Sequence, residues 1–193
     1  MPNVYAQAAA ALACPDSDRK LALTAALRED WLAGRLDAEP RTLGVTAGRP
    51  ERPALVPPAQ LPARGAHTPE GRAALIHAIA HIEFNAINLA LDHIVRFPGF
   101  PRDYIDDWIK VAAEEAYHFG LVRDHLHTLG YAYGDFVAHD GLWQMTVKTA
   151  HDPLARMALV PRLLEARGLD ATPPIQKKLQ GIGDQAAVAI LDI

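Results

Sequence analysis

The sequence predicts an all-α protein whose main body is a four-helix bundle, two antiparallel hairpins joined by one long crossover. Three observations carry this. Alanine and leucine dominate and β-branched runs are absent, which favours helix over strand. Two helical segments of nearly equal length, 68–96 and 101–129, are joined by a short Pro-Gly connection. A long connection over residues 130–151 then separates that pair from a second helical pair.

Residues 4–35 are expected to form one or two helices, with Asp16 and Ser17 as caps for the second and Gly34 as a stop. Pro40, Pro50, Pro53, Pro57, Pro58 and Pro62 predict a long extended segment over 37–66, wrapped on the surface. Thr68-Pro69-Glu70 reads as an N-cap, a first-turn proline and an acid near the positive end of a helix. That helix is expected to run to Arg96, stopped by Phe97-Pro98-Gly99. The next starts near Pro101 and ends at Leu129, with Gly130 as its cap. Nearly equal lengths and a short connection predict an antiparallel hairpin. The connection that follows carries a helical turn around Leu142–Lys148. Asp152-Pro153 starts a third bundle helix, which Pro161 kinks or restarts and Gly168 ends. Thr172-Pro173 starts a fourth, still incomplete at Ile193. The expected organisation is residues 1–66 as N-terminal helices and wrapping segment, and 67–193 as the bundle. Two hairpins with one long crossover is the ferritin-like connectivity.

Composition narrows the functional classes. The chain has 193 residues, 50% hydrophobic and 22% charged, an ordinary globular balance. A net charge of −4 argues against a broadly basic nucleic-acid surface. The single cysteine, Cys14, excludes an internal disulfide framework, which points to a reduced, cytoplasmic setting. The Ala-rich start lacks a positive n-region, so a signal peptide is not expected, and no run of roughly 18 apolar residues marks a membrane span. Phosphate-binding loops, nucleophile elbows and Cys-x-x-Cys motifs are absent.

The chemistry lies in the first hairpin. Ile76, Ile79, Glu83, Ile87, Ala90 and Ile94 form one helical stripe, which Glu83 interrupts. Ile105, Trp108, Ala112, Glu115, Phe119, Val122, Leu126 and Leu129 form the facing seam, with Glu115 in its middle. His118 lies one turn beyond Glu115 on the same side. Glu83 precedes its helix end by 13 residues and Glu115 follows its helix start by 14, so both lie roughly 20 Å from the shared turn. Buried carboxylates at one level repel and pay several kcal/mol each in lost hydration. They take up protons, destabilise the fold or bind a cation. Oxygen and imidazole donors suit iron or manganese, with zinc also allowed. The bland alternative is a satisfied polar network in the core. Glu165 on the third helix is either another inward carboxylate or a solvated one beside Arg162 and Arg167. His77 and His81 are spaced i, i+4 and could bind metal, but they lie off the Glu83 stripe, so solvated or hydrogen-bonded surface histidines are expected. His125, His127, His139 and His151 lack a second ligand at suitable spacing, and Cys14 is expected to be inert.

Several segments together resemble a ferritin-like family of unknown function, domain of unknown function 455. They are His77–Glu83, Asp107–Phe119, Tyr133-Gly134-Asp135, His139–Trp143 and Leu164–Asp170. The resemblance covers about residues 68–193, more loosely before that. The family is similar to the di-iron ferritin superfamily, which includes a tRNA hydroxylase acting on hypermodified adenosine. It implies Glu83, Glu115, His118 and Glu165 as metal ligands. The pattern also expects a second Glu-x-x-His on the fourth helix, where this chain reads Ala186-Ala-Val-Ala-Ile-Leu-Asp-Ile193. The chain is therefore expected to be a fragment cut before the last ligands. The expected function is an oxygen-dependent di-iron oxidoreductase or hydroxylase. Metal storage without turnover, or a non-catalytic helical interaction domain, are the alternatives. Partner expectations are a small-molecule or nucleic-acid-derived substrate, a homodimer, and no membrane.

Overall fold

The computed structural model describes the backbone of residues 1–193 and the side chains outside 161–170. Its elements are α1 (Val4–Ala13), α2 (Ser17–Leu32), α3 (Pro69–Arg96), α4 (Arg102–Thr128), α5 (Gly141–Lys148), α6 (Pro153–Met157), α7 (Leu163–Gly181) and α8 (Gln185–Leu191). Among the described residues no strand is present, only two isolated bridges, Asn3 with Asp37 and Leu55 with Ala138. The all-α expectation is met.

Local chemistry sets most boundaries. Asp16 accepts the Arg19 amide at 2.8 Å and opens α2, and Gly34 ends it with φ +66°. Thr68 Oγ1 accepts the Gly71 amide at 3.0 Å and opens α3 at Pro69. Asp152 accepts the Leu154 and Ala155 amides and opens α6. Gly130, at φ +83°, closes α4. Between α2 and α3 the Pro-rich segment holds only one 3-10 turn, Pro58–Gln60.

Two expectations fail. A π-helical turn at Ala158–Arg162, containing Pro161, joins α6 to α7. From there the helix passes through Gly168, Pro173 and Pro174 without the expected stop and restart. Pro173 and Pro174 are exposed, where water can replace lost backbone partners. The break comes later, at Ile182–Asp184, where Gly183 has φ +78° and Asp184 caps the short α8.

The residues group into two compact units, each described by itself. The first comprises residues 1–51 and 83–117, and the second 52–82 and 118–193. In the first, His93 stacks on Trp108 at 3.6 Å and shares a 2.8 Å hydrogen bond with the Tyr104 hydroxyl. Trp31 donates to Asp106 and lies 4.0 Å under the Arg102 guanidinium. Lys20 is fully buried. Its ammonium donates to the Ala11 and Leu12 carbonyls at 3.0 and 2.7 Å and to Asn88 Oδ1 at 2.8 Å. It thereby adds a second donor to two carbonyls in the last turn of α1, which also accept the Cys14 and Gly48 amides. In the second unit, His125 donates to the Asp184 carboxylate at 3.1 Å, and Asp184 Oδ1 also accepts the Ala187 amide. Arg156, fully buried, donates to the Thr146 carbonyl at 2.7 Å.

The predicted stripes are inward. Ile76, Ile79, Ile87, Ala90 and Ile94 of α3 are buried, as are Ile105, Trp108, Ala112, Phe119, Val122 and Leu126 of α4. Leu129 is half-buried. By length and composition α3 is apolar enough to cross a membrane, with a window of mean hydropathy 1.4, although its apolar residues are not one continuous run. Burial of 61% of that window accounts for the composition.

Two predictions follow from this packing. A Cβ on Gly48 would lie 2.0 Å from the Ala13 carbonyl oxygen, because the Pro-rich segment presses on the end of α1. Gly48→Ala should cost about 2–4 kcal/mol, read as a lowered midpoint in urea unfolding. Burial holds the Lys20 ammonium down at about 7; Cys14 opposes this shift and Arg49 adds to it. Above that pH the folded lysine is neutral, while the unfolded one keeps its proton to about 10.5. Stability contributed by Lys20 therefore rises with pH between about 7 and 10.5. Thermal melts across that window should show the rise in wild type and lack it in Lys20→Met.

Candidate metal centre

α3 and α4 each contribute one face to the centre. His93 meets Tyr104 and Trp108 near the hairpin turn, and Glu83, farther from it, meets Glu115. As the residue number rises on one helix it falls on the other, which is the antiparallel register expected from the sequence. Glu83 and Glu115 thus come to one level because each is about the same number of turns from the connection.

One ligand atom from each of Glu83, Glu115 and His118 lies within 4.8 Å of the others. Among the described residues this is the one group of three or more His, Cys, Asp or Glu side chains able to hold a metal. All three residues are half-buried. Glu115 and His118 share a face because they are one turn apart on α4. The sequence places the buried Phe84 and Phe119 next to Glu83 and His118.

The electrostatics of the pair follow from its burial. Burial, a hydrogen bond with Glu115 and repulsion from it push the Glu83 carboxyl up to about 9. Near neutral pH Glu83 therefore keeps its proton, and the proton holds the two carboxyls together. A divalent cation would relieve the same repulsion, with the His118 imidazole as a nitrogen donor. Oxygen and nitrogen donors of this kind suit iron, manganese or zinc.

Glu165 lies on α7, but its side chain falls outside the described residues. His77 and His81 are buried, at 1% and 7% exposure, which corrects the expectation of surface histidines. His77 Nε2 accepts the Gly134 amide at 2.9 Å, and burial lowers this imidazole to about 4, against the pull of Asp135. His81 Nδ1 shares a 2.9 Å hydrogen bond with the Tyr133 hydroxyl. Tyr133 stacks on His77 and meets Phe119 edge-on at 5.1 Å. These histidines brace the turn after α4 through Tyr133 and Gly134, where φ of +106° is reached without strain only by glycine. Sequence reasoning missed that role because the partners lie more than fifty residues away. The one local signal was the Tyr-Gly-Asp turn itself.

The comparisons with known proteins match this chain to an uncharacterised group. The family model described as "Protein of unknown function (DUF455)" matches residues 13–193. An uncharacterized protein of Haemophilus influenzae (strain ATCC 51907 / DSM 11121 / KW20 / Rd) is 57% identical over 154 residues, covering 76% of this chain and 54% of that protein. The chain spans about half the length of the curated relative it matches. No solved structure matches it significantly. With the family model covering nearly the whole chain, the protein belongs to the DUF455 family.

Proposed function

We propose that this chain carries half of a ferritin-like di-iron carboxylate centre, and that the parent protein is an oxygen-dependent oxidoreductase. The observation that carries the reading is the Glu83–Glu115–His118 cluster at one level of the α3–α4 hairpin. A Glu from one helix facing a Glu-x-x-His on the next is half of the carboxylate di-metal arrangement found in helical bundles. Glu165 on α7 is proposed as a further ligand, in line with the family resemblance.

Iron held in this way supplies redox chemistry toward dioxygen. The chain's own residues have other tasks. Glu83 and Glu115 supply oxygen donors and negative charge. His118 supplies a neutral imidazole and so must be deprotonated to bind. Metal uptake by the half-buried carboxyl pair displaces the proton that Glu83 holds near neutral pH.

Three outcomes test the proposal. Purified protein should bind Mn(II) or Zn(II) in calorimetry, and Glu115→Ala should weaken binding at least about tenfold. A version extended to the length of the relatives should bind more tightly and consume oxygen when loaded with iron. Retention of full metal affinity by Glu115→Ala would reject the site, and tight stoichiometric metal without oxygen uptake would favour storage over turnover. The third outcome concerns metal-free protein. Glu83 titrates near 4.5 unfolded and about 9 folded, so between those values the unfolded state holds fewer protons and stability falls as pH rises. Denaturant midpoints from pH 5 to 9 should therefore decline in wild type and stay flatter in Glu83→Gln.

A further inference from the structure

The part of the α3–α4 hairpin nearest its turn holds a second polar arrangement, in the same unit as Glu83 and Glu115. His93 of α3 is fully buried and stacks on Trp108 of α4, with ring centroids 3.6 Å apart and planes 9° apart. A phenyl ring would fill that place without burying nitrogen, so packing alone does not call for an imidazole. Its Nδ1 lies 2.8 Å from the Tyr104 hydroxyl oxygen. Tyr104 is half-buried and meets Trp108 edge-on at 6.2 Å. It also stacks at 4.5 Å on Phe100, which is 40% exposed. The rings form a continuous series from the surface to Trp108. Trp108 in turn stands two turns before Glu115 on α4, about 10 Å along the axis.

This geometry suits the loss of an electron from Tyr104. A phenol keeps its proton at neutral pH but becomes strongly acidic once an electron is removed. It is oxidised readily beside a base that takes the proton in the same event. A neutral imidazole whose Nδ1 accepts the phenolic hydrogen bond is such a base. The electron-rich rings in contact give the electron its route. We propose that Tyr104 is a redox-active tyrosine, with His93 as its proton acceptor and Trp108 as its electron contact. In the step, the Tyr104 O–H bond breaks, the proton moves to His93 Nδ1, and one electron leaves through Trp108 to a one-electron oxidant. A neutral phenoxyl radical and an imidazolium remain. One electron from a reductant at the exposed Phe100 side, with return of the proton, restores both. In the parent protein the oxidant is oxidised iron at the Glu83–Glu115 level, and that part alone rests on the function proposed above.

Flash oxidation of metal-free protein with a ruthenium(III) complex tests the pair. Tyr117→Phe serves as the parent, because the exposed Tyr117 would react on its own. The parent should give a tyrosyl signal by electron paramagnetic resonance. Adding Tyr104→Phe should abolish it, whereas adding Tyr133→Phe, which removes the hydroxyl bonded to His81, should not. Adding His93→Phe keeps a ring on Trp108 but removes the proton acceptor, so the signal should be lost while the circular dichroism is kept. Heavy water, which needs no substitution, should slow radical formation in the parent. Iron-loaded protein mixed with oxygen should give the same signal, and Trp108→Phe should lose that signal while keeping the flash-induced one. A full flash signal in Tyr104→Phe or His93→Phe overturns the proposal, as does equal speed in heavy and ordinary water. An oxygen-driven signal undiminished in Trp108→Phe overturns the Trp108 contact. Protein that binds no iron but forms the Tyr104 radical rejects the metal reading and keeps the pair. Protein that binds iron but forms no Tyr104 radical on flash oxidation does the reverse.

Discussion

Glu83 and Glu115 meet in the α3–α4 hairpin, where burial and their mutual repulsion favour the protonated form of Glu83. Two ionised carboxylates at this separation, half-shielded from water, would repel strongly and lose much of their hydration. The metal-free protein answers by raising Glu83 to about 9. The same arrangement that makes the charge costly makes a cation welcome. His118 brings a nitrogen donor to the same cluster. The proposed function thus rests on electrostatics that an apolar substitution would erase, and the surrounding stripe of isoleucine, tryptophan and phenylalanine gives that pair its meaning.

A second group of polar side chains is buried for another reason. Lys20, His77 and His125 each tie together segments distant in the chain: Lys20 reaches Asn88, His77 reaches Gly134 and His125 reaches Asp184. Lys20 and His77 engage backbone groups of a helix end and a turn, and His125 engages the carboxylate that caps α8. Burying each such group is offset only when its partners are met in good geometry. Lys20 uses its three donors this way and loses much of its basicity in return.

Much of the fold was legible because its signals are local. The caps at Asp16, Thr68 and Asp152 act within three residues, and the Glu83 and Glu115 stripes follow from helical period alone. The misreadings have a common source. Gly168 and Thr172-Pro173 look like a stop and a start, yet α7 continues, since local propensity is a weak prior that a larger context overrides. His77 and His81 looked solvated because they lie off the ligand stripe. The turn at 131–136 covers them, and nothing near them in sequence says so.

The sequence by itself determined the helical class, most helix ends, and the level at which Glu83, Glu115 and His118 stand, because period, caps and equal arm lengths are properties of neighbouring residues. Only the tertiary structure decided which buried polar groups find partners, that Glu83 and Glu115 are hydrogen-bonded to each other, where the last helices break, and that α2 and α4 leave a groove between them. Those outcomes depend on contacts between residues far apart in the chain, and no local pattern specifies which distant surface a side chain will meet.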